Sequence, residues 1–211
     1  MTTSDGLLAD ARGFFRCAWA GNDPEYCAYH DEEWGRPVTS DQRIFEKIVL
    51  EGFQSGLSWR TILHKRPRFR QVFCDFDPVQ IARFTAPDVD RLLLDAGIIR
   101  HRGKIEAAIH NANAALKFSD AKGSLAEFVW SFVPPESERP LRCDNASVRV
   151  LTKTDTSERL SKALRQRGFR FVGPTTCYAM MQAIGLVNDH LEGCRVREDV
   201  ESERIRVIRK L

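Results

Sequence analysis

Two side chains near the end of the sequence have a spacing suited to binding a metal ion. His190 and Cys194 lie four residues apart in LVNDHLEGC, so one helical turn would place them on the same face. Zinc accepts both ligand types, but a closed structural zinc site is tetrahedral and needs four protein ligands. The spacing alone therefore leaves two ligands to be found elsewhere in the chain.

The missing ligands can be sought near the beginning of the chain, in RCAWAGNDPEYCAYHDEEWG. Cys17 and His30 are candidates there, and Cys27 competes with Cys17. Further possible ligands elsewhere are Cys74, His64, His101 and His110. The spacing matches no standard zinc finger, so a packed or surface role remains open for each of these side chains. Two thiolates and two imidazoles would fill the tetrahedron, and any such zinc would be structural.

A second group of residues could recognise a flat ring that carries a positive charge. Glu51 ends an apolar helical stripe in IVLEGFQSGLSW, just before a turn that contains Gly52 and Gly56. An exposed glutamate at a helix end is the commoner outcome for such a residue. The sequence around it is rich in aromatic residues, namely Trp19, Tyr26, Tyr29, Trp34 and Trp59. Because aromatic faces attract cations and a carboxylate accepts hydrogen bonds, a pocket for a cationic base is the alternative.

The stretch LSKALRQRGFRFVGPTTCYAMMQAIG predicts two helices joined by a glycine turn, the helix-hairpin-helix pattern. The turn is built on Gly168 and Gly173, and the second helix opens with Pro174, Thr175 and Thr176. Backbone N–H groups at such a helix N-terminus can hold a phosphate, although a plain helix connection fits the pattern equally well. Weak support for DNA binding comes from two basic clusters, Arg165, Arg167 and Arg170, and Arg100, His101, Arg102 and Lys104.

The elements that must position these residues are predicted to be helices. Apolar residues recur at intervals of three and four along most of the chain, whereas alternating runs typical of strands are nearly absent. One helix is expected to begin at a Ser40 or Asp41 cap and to end or bend at Gly52. The pattern therefore favours an all-α fold.

Local capping signals predict where further helices begin and end. Asp77 and Pro78 open one helix, and Thr85 and Asp88 have the spacing of a capping box in the next, which ends at Gly97. Apolar stripes predict helices in HRGKIEAAIHNANAALKF and SLAEFVWSFV.

A long loop is predicted for residues 134–155, which lose periodicity and collect proline, serine and charge. A helix restarts at Thr156 or Ser157 and is expected to close at Gly168. No internal repeat interrupts this order, so the sequence does not indicate a repeat protein.

Composition narrows the class of protein further. The chain has 211 residues, 43% of them hydrophobic, and a formal net charge of +3, which permits a polyanionic partner without requiring one. The N-terminus lacks the basic start and apolar run of a secretory signal, and no window approaches the ~20 apolar residues of a membrane span. We expect a cytoplasmic protein with no membrane partner, whose six cysteines are thiols or metal ligands.

The sequence landmarks together resemble the 3-methyladenine DNA glycosylase I family of bacterial base excision repair. They run in collinear order from about residue 16 to residue 194 and comprise RCAWAGNDPEYCAYHDEEWG, LEGFQSGLSW, DAGIIRHRGKI, FVWSFV, SKALRQRGFRFVGPTTCYAMMQA and GLVNDHLEGC. The resemblance implies an all-α helix-hairpin-helix DNA glycosylase fold. The implied divisions are an N-terminal extension (1–15), the glycosylase domain (16–194, with the hairpin at about 157–185) and a charged tail (195–211) expected to be a frayed helix.

The same resemblance implies one structural Zn²⁺ per chain that joins the two ends of the domain. Its ligands would be Cys17, His30, His190 and Cys194. The implied partner is double-stranded DNA that carries alkylated bases, bound by a monomer in the bacterial cytoplasm that associates with the nucleoid through DNA.

The resemblance also implies a role for each residue of the pocket. Glu51 would hydrogen-bond the damaged adenine as the catalytic residue, between aromatic walls formed by Tyr29, Trp59, Tyr26 and Trp19. Leu57 would fill the gap left by the flipped base, and the other DNA contacts would be Gly173, Thr175, Thr176 and Arg102. The expected reaction hydrolyses the N-glycosidic bond of 3-methyladenine and leaves an abasic site, without a Schiff base. Asp189 is expected to support the metal site or cap a helix rather than to act in catalysis.

Two other classes of protein share part of this pattern. A non-catalytic helix-hairpin-helix module would keep the hairpin and the basic residues but would not need Glu51 among aromatic residues. A zinc hydrolase would need an open metal position, which a set of four protein ligands does not leave. The pocket and the ligand set thus favour the glycosylase over both alternatives.

Overall fold

Eleven α-helices and one short hairpin form the part of the chain that the computed structural model describes, residues 5–120 and 123–210. The helices are α1 Pro24–Glu32, α2 Asp41–Gln54, α3 Trp59–Val72, α4 Pro78–Ile81, α5 Ala86–Leu94, α6 Arg102–Asp120, α7 Leu125–Trp130, α8 Asn145–Arg149, α9 Asp155–Gln166, α10 Pro174–Ala183 and α11 Arg197–Ile208. Strands β1 Leu7–Ala9 and β2 Phe15–Cys17 pair antiparallel. The predicted mostly helical fold is confirmed, and within the described ranges no helix is long and apolar enough to cross a bilayer.

Helix α2 runs through the middle of the main hydrophobic core. Every residue from Ile44 to Phe53 is buried, because α3, α6, α7 and α10 all pack against this helix. A helix that is enclosed on several sides buries its polar side chains along with its apolar ones. Glu46, Lys47 and Glu51 are therefore carried into the interior, where charged groups are rare.

The local capping signals predicted two helix starts correctly. The Asp77 carboxylate accepts a hydrogen bond from the Val79 N–H at 2.9 Å, and Pro78 is the first residue of α4. Thr85 and Asp88 form the predicted capping box of α5. These signals succeed because they depend only on residues within one helical turn.

Two predicted helix ends differ from the structure. Helix α2 continues through Gly52, where a side-chain Cβ would lie 3.2 Å from the Cβ of Phe171. This glycine therefore serves the close approach of another segment rather than a turn. Helix α5 ends at Leu94, and the Asp95 carboxylate accepts a hydrogen bond from the N–H of Gly97 at 2.8 Å.

The segment predicted as a long loop contains short helical pieces. Helix α8 lies within it, and α9 begins at Asp155, slightly ahead of the predicted start. Thr154 and Ser157 form a reciprocal capping box that fixes this earlier start. Gly168 follows the end of α9 with φ +90°, a conformation that favours glycine, so the predicted helix end is confirmed.

The two ends of the chain lie against each other. Leu7 of β1, in the predicted extension, packs with Cys17, Leu191 and Cys194 in a small apolar cluster. The charged tail forms the regular helix α11 instead of the expected frayed one, because Val200 on this helix is fully buried in the same cluster. The fold thus places the first and last elements beside one another.

Candidate functional site

A cavity of about 570 Å³ opens between the N-terminal segment, α2, α3, α8 and α10. This volume lies within the range of sites that bind small molecules. Its lining includes Trp19, Tyr26, Tyr29, Trp34, Glu51 and Trp59. The structure therefore brings together all five residues predicted for the base pocket, together with Trp34, which the sequence analysis named in the same aromatic group.

The aromatic walls are arranged around the cavity as a continuous series. Tyr26 stacks on Tyr29 with ring centroids 6.5 Å apart, and Tyr29 lies 5.3 Å from Trp59. Trp19 lies 5.1 Å from Tyr26 and 4.9 Å from Trp34. Such rings present faces and edges of opposite partial charge, which suits stacking against a planar base.

Glu51 is a buried carboxylate, only 5% exposed, that lines the cavity. Among the residues that the structure describes, none forms a hydrogen bond or ion pair with it. Burial raises its pKa to about 8, while the nearby ammonium of Lys47 acts in the opposite direction. The carboxylate oxygens are therefore available to a ligand that donates hydrogen bonds or carries positive charge.

Asp189 is a second buried carboxylate on the same cavity, and its hydrogen-bonding capacity is used. It accepts hydrogen bonds from the Tyr178 hydroxyl at 2.7 Å and from the Gln182 amide at 2.8 Å. It also forms an ion pair with the guanidinium of Arg139. These contacts tie the segment before His190 to α10 and to the loop before α8, and none of them caps a helix.

Three of the four predicted zinc ligands are close together. Donor atoms of Cys17, His30 and Cys194 all lie within 4.8 Å of one another, and all three residues are buried. The hydrogen bond from Cys17 lowers the pKa of Cys194 to about 4, which favours the thiolate that zinc requires. Cys27 lies outside this cluster, and its thiol is 3.4 Å from the Gly21 carbonyl.

His190, the fourth predicted ligand, lies beside this cluster but is not part of it. Its ring centroid is 4.8 Å from that of His30. Its Nδ1 is 3.0 Å from the Asn188 side-chain oxygen, and its Nε2 is 3.4 Å from the His30 carbonyl. A change in the direction of the His190 ring would be needed for Nε2 to join the other three donors.

A carboxylate orients the imidazole of His30 toward the cluster. The Asp31 carboxylate lies 2.8 Å from Nδ1 of His30 and is held by a two-point ion pair with Arg16. Burial raises the pKa of Asp31, but hydrogen bonds from Arg16 and His30 outweigh it and lower the pKa to about 2. His30 is thereby held with Nδ1 toward Asp31 and Nε2 toward Cys194, 3.6 Å away, which is the orientation that a metal-binding imidazole needs.

The turn between α2 and α3 presents Leu57 to solvent. Leu57 is 43% exposed, and the neighbouring Gly56 has φ +81°. The ammonium of Lys104 donates hydrogen bonds to the carbonyls of Phe53 at 2.9 Å and Ser55 at 2.6 Å. Lys104 therefore stabilises this turn. The sequence analysis had assigned it to a basic cluster that could bind DNA.

The other predicted DNA contacts lie at two helix N-termini. Gly173 precedes the first residue of α10, and Thr175 is exposed and Thr176 half-buried in its first turn. Arg102 begins α6 and is exposed, with its guanidinium 2.7 Å from Asp90. Contact of Arg102 with a phosphate would compete with this surface ion pair.

Several residues of the cavity gave no signal in the sequence. Gln54, Asn145, Arg149 and Gln182 contribute polar groups to its lining. Asn145 and Arg149 come from α8, in the segment predicted as a loop. Gln54 lies three residues after Glu51 on α2, but helical spacing from Glu51 was no guide to the other three, because α8 and α10 supply them.

Comparisons with known proteins cover most of the chain. Residues 19–198 match the sequence profile of a family described as methyladenine glycosylase. DNA-3-methyladenine glycosylase 1 of Escherichia coli strain K12 is 52% identical over 180 residues, which cover 85% of this chain and 95% of that protein. A crystal structure of 3-methyladenine DNA glycosylase I has a TM-score of 0.80 at 51% identity, over 85% of this chain and 98% of that one. A variant of 3-methyladenine DNA glycosylase I in complex with 3-methyladenine has a TM-score of 0.79 at 38% identity, over 86% and 97%.

Proposed function

Because the chain belongs to the methyladenine glycosylase family, we propose that it excises 3-methyladenine from alkylated DNA by hydrolysing the N-glycosidic bond. The product would be free base and an abasic site. One observation carries the proposal: a buried carboxylate, Glu51, faces an aromatic cavity without a hydrogen-bond partner among the described residues. Such a site suits a base that is both flat and cationic.

The chemistry of the lesion explains how the cavity would select it. Methylation at N3 makes adenine a cation while it is attached to the sugar, so that ring faces such as those of Tyr29 and Trp59 attract it. The Glu51 carboxylate would accept a hydrogen bond from the exocyclic amine. Normal adenine carries no charge and gains less from both contacts. Since an alkylated base is already a good leaving group, little acid catalysis is needed and water would capture the oxocarbenium-like sugar.

The proposal assigns the DNA contacts to the surface around the cavity. A base must leave the stack to reach Glu51, which costs a few kcal/mol and costs least for weakly paired damage. The exposed Leu57 would occupy the gap in the duplex. Helices α9 and α10 would act as a helix-hairpin-helix motif, in which N–H groups near Gly173, Thr175 and Thr176 hold a phosphate. Arg102 would contact the same strand.

We also propose that a structural zinc ion holds the two ends of the domain together. The three clustered donors, one of them on the oriented His30, fit such an ion, with His190 as the fourth ligand after rotation of its ring. Four protein ligands supply no activated water, so the zinc would stabilise the fold. The enzyme would act as a monomer in the bacterial cytoplasm, where its substrate lies on the nucleoid.

The experiment that tests the function is chromatography of the bases released from methylated duplex DNA. We expect release of 3-methyladenine, little release of 7-methylguanine and no strand cleavage. The Glu51→Gln variant should lose this activity. Glu25→Gln is its control, because Glu25 is an exposed glutamate of α1 and its substitution removes a charge outside the cavity. Tight DNA binding by folded wild-type protein without any base release would instead favour a binding module. Activity that disappears on chelation while the protein stays folded would favour a zinc hydrolase.

A further inference from the structure

Lys47 is a buried ion that the recognition of the base does not use. It lies on α2 with only 6% of its surface exposed. Within the described part of the chain, its ammonium has no hydrogen-bond acceptor. Removing an ammonium from water without a hydrogen bond is costly, so its charge must be offset by a carboxylate nearby.

The nearest carboxylate, Glu33, already has a cation of its own. Its two oxygens accept hydrogen bonds from the Arg66 guanidinium at 2.5 and 2.6 Å. The Lys47 ammonium lies 3.8 Å from one of these oxygens, beyond hydrogen-bond distance. Because Glu33 is shared with Arg66, it offsets the charge of Lys47 only in part.

The remaining buried carboxylates on α2 are Glu46 and Glu51. Glu46 is held by Arg43 and Arg70, each at 2.7 Å, so its charge is more than balanced. Glu51 has no such cation in contact. On α2, Lys47 thus makes only the longer contact with Glu33 and Glu51 makes no contact with a cation, and the two lie one helical turn apart.

The position of Lys47 keeps it out of the cavity. Its ammonium lies 5.1 Å from the ring centroid of Tyr29 and 5.7 Å from that of Trp59, two of the cavity walls. Lys47 is not among the residues that line the cavity, which places it behind these rings. The electrostatic interaction between the ammonium and Glu51 acts through the protein interior, where screening by water is weak.

We propose that Lys47 is a positioning residue whose ammonium favours the ionised form of Glu51 while leaving both carboxylate oxygens open to the base. A cation bonded directly to Glu51 would stabilise the same charge but would occupy the oxygens that the base needs. A cation held behind the aromatic wall provides the charge without the contact. This inference rests on the proposed function, because it assumes that an ionised Glu51 receives the lesion.

Other charged groups near the pair have partners or lie across the cavity. Glu33, Glu46 and Arg66 face Lys47 and are paired as described above. The titratable groups near Glu51 on α1 are the phenols of Tyr26 and Tyr29. Across the cavity lie Asp189, bonded to Arg139, and the exposed Arg149. Burial raises the pKa of Glu51 and Lys47 opposes this, in agreement with the geometry.

The test is the pH dependence of excision in Lys47→Met, which removes the charge and keeps the volume. Without the ammonium, the pKa of Glu51 should rise, so the free protein would need a higher pH to ionise it. We expect the acid limb of kcat/KM to move upward by about one pH unit or more. The limb of kcat should move less, since a bound cationic base itself favours the carboxylate. Lys47→Arg, which restores the charge, should return the limb toward the wild-type position.

Lys117→Met is the matched control, because this lysine is exposed on α6. Its pH profile should equal that of the wild type. A Lys47→Met profile that is lower at every pH without a shifted limb would reduce Lys47 to a packing role and overturn the proposal. Equal shifts in Lys47→Met and Lys47→Arg would exclude charge as the cause.

A direct measurement separates this inference from the proposed function. The Glu51 carboxyl can be titrated by carbon-13 NMR without any substrate, with Glu51→Gln identifying its signal. We expect a higher pKa in Lys47→Met than in the wild type, whether or not 3-methyladenine is the base excised. If Lys47→Met does not fold, the Lys47 side chain of the wild type can be titrated by NMR instead. The proposal requires that Lys47 is still protonated at the pH at which Glu51 ionises, and loss of the Lys47 proton at a lower pH would refute it.

Discussion

Glu51 and Asp189 are two buried carboxylates on the same cavity, and they differ in how many partners they have. Asp189 receives two hydrogen bonds and an ion pair from protein groups, whereas Glu51 receives neither within the described residues. A carboxylate whose lone pairs are used can hold a wall in place but has little capacity for a ligand. Burial alone therefore does not identify a binding carboxylate. The distinguishing feature is burial beside a cavity without protein partners.

The largest effect on stability should come from breaking the saturated carboxylate. Asp189→Asn removes the charge that balances the largely buried Arg139, and an unpaired buried charge costs about 3–5 kcal/mol. Urea unfolding measures the loss. Glu192→Gln, which breaks the exposed pair with Arg142, is the control and should change the free energy of unfolding little. Equal losses in the two variants would remove the contrast between buried and exposed pairs.

Glu51→Gln should have the opposite effect on stability and a severe one on activity. Excision should fall roughly 100-fold or more, because the carboxylate that pairs with the cationic base is gone. The folded protein should gain on the order of 2–4 kcal/mol at pH 9, measured by denaturant unfolding.

The sign of the Glu51→Gln effect follows from the raised pKa of Glu51. Its ordinary value is 4.5 and its folded value is about 8, so the folded state binds the proton more tightly. Wild-type stability must then fall as pH rises between these values, and the variant avoids this loss. The two proteins should differ little near pH 4. A stability difference that is independent of pH would contradict the raised pKa.

A smaller effect is expected at the junction of the chain ends. Cys194→Ser should lower bound zinc, measured by atomic absorption, and lower the Tm by several degrees. Cys27→Ser is the matched control, because Cys27 lies between Cys17 and His30 in sequence but outside the cluster. This variant should keep the metal. Full zinc content in Cys194→Ser would refute the ligand assignment.

The smallest effect is expected at the exposed turn. Leu57→Ala should lower excision from duplex DNA by roughly 3–10-fold without changing the Tm, because the wedge acts only once the base has left the stack. The loss should be smaller when the lesion lies opposite a mismatch. Leu94→Ala, at an exposed leucine of α5, is the control and should be neutral. An equal loss in both variants would exclude a specific wedge.

Sequence patterns predicted the local features of this fold and missed those that depend on distant segments. The capping box of Thr85 and Asp88 was predicted because both partners lie in one turn. Gly52 was misinterpreted as a helix end, since the reason for the glycine is Phe171, more than one hundred residues away. Helices α1 and α3 were not predicted, and Pro67 within α3 is a residue that usually argues against a helix.

The candidate site was predicted only in part, because some of its residues come from segments that are distant in sequence. Glu51 and its aromatic neighbours could be named because they are close in sequence and of unusual composition. The side chains that complete the cavity, such as Asn145 and Gln182, come from other elements and are ordinary residue types. Lys47 gave no signal either, because a lysine on a helix is normally exposed and only the enclosure of α2 buries it.

The meeting of the chain ends has a consequence for synthesis on the ribosome. Trp19 is made long before Asp189 and Leu191, and all three line one cavity. The Arg195 N–H donates a hydrogen bond to the Phe15 carbonyl at 2.9 Å, which joins the segment before α11 to strand β2. A nascent chain can therefore form α2 and its neighbours but not a complete cavity. The cavity is complete only after Leu191 has emerged, so a chain that has not yet reached this residue cannot enclose a base.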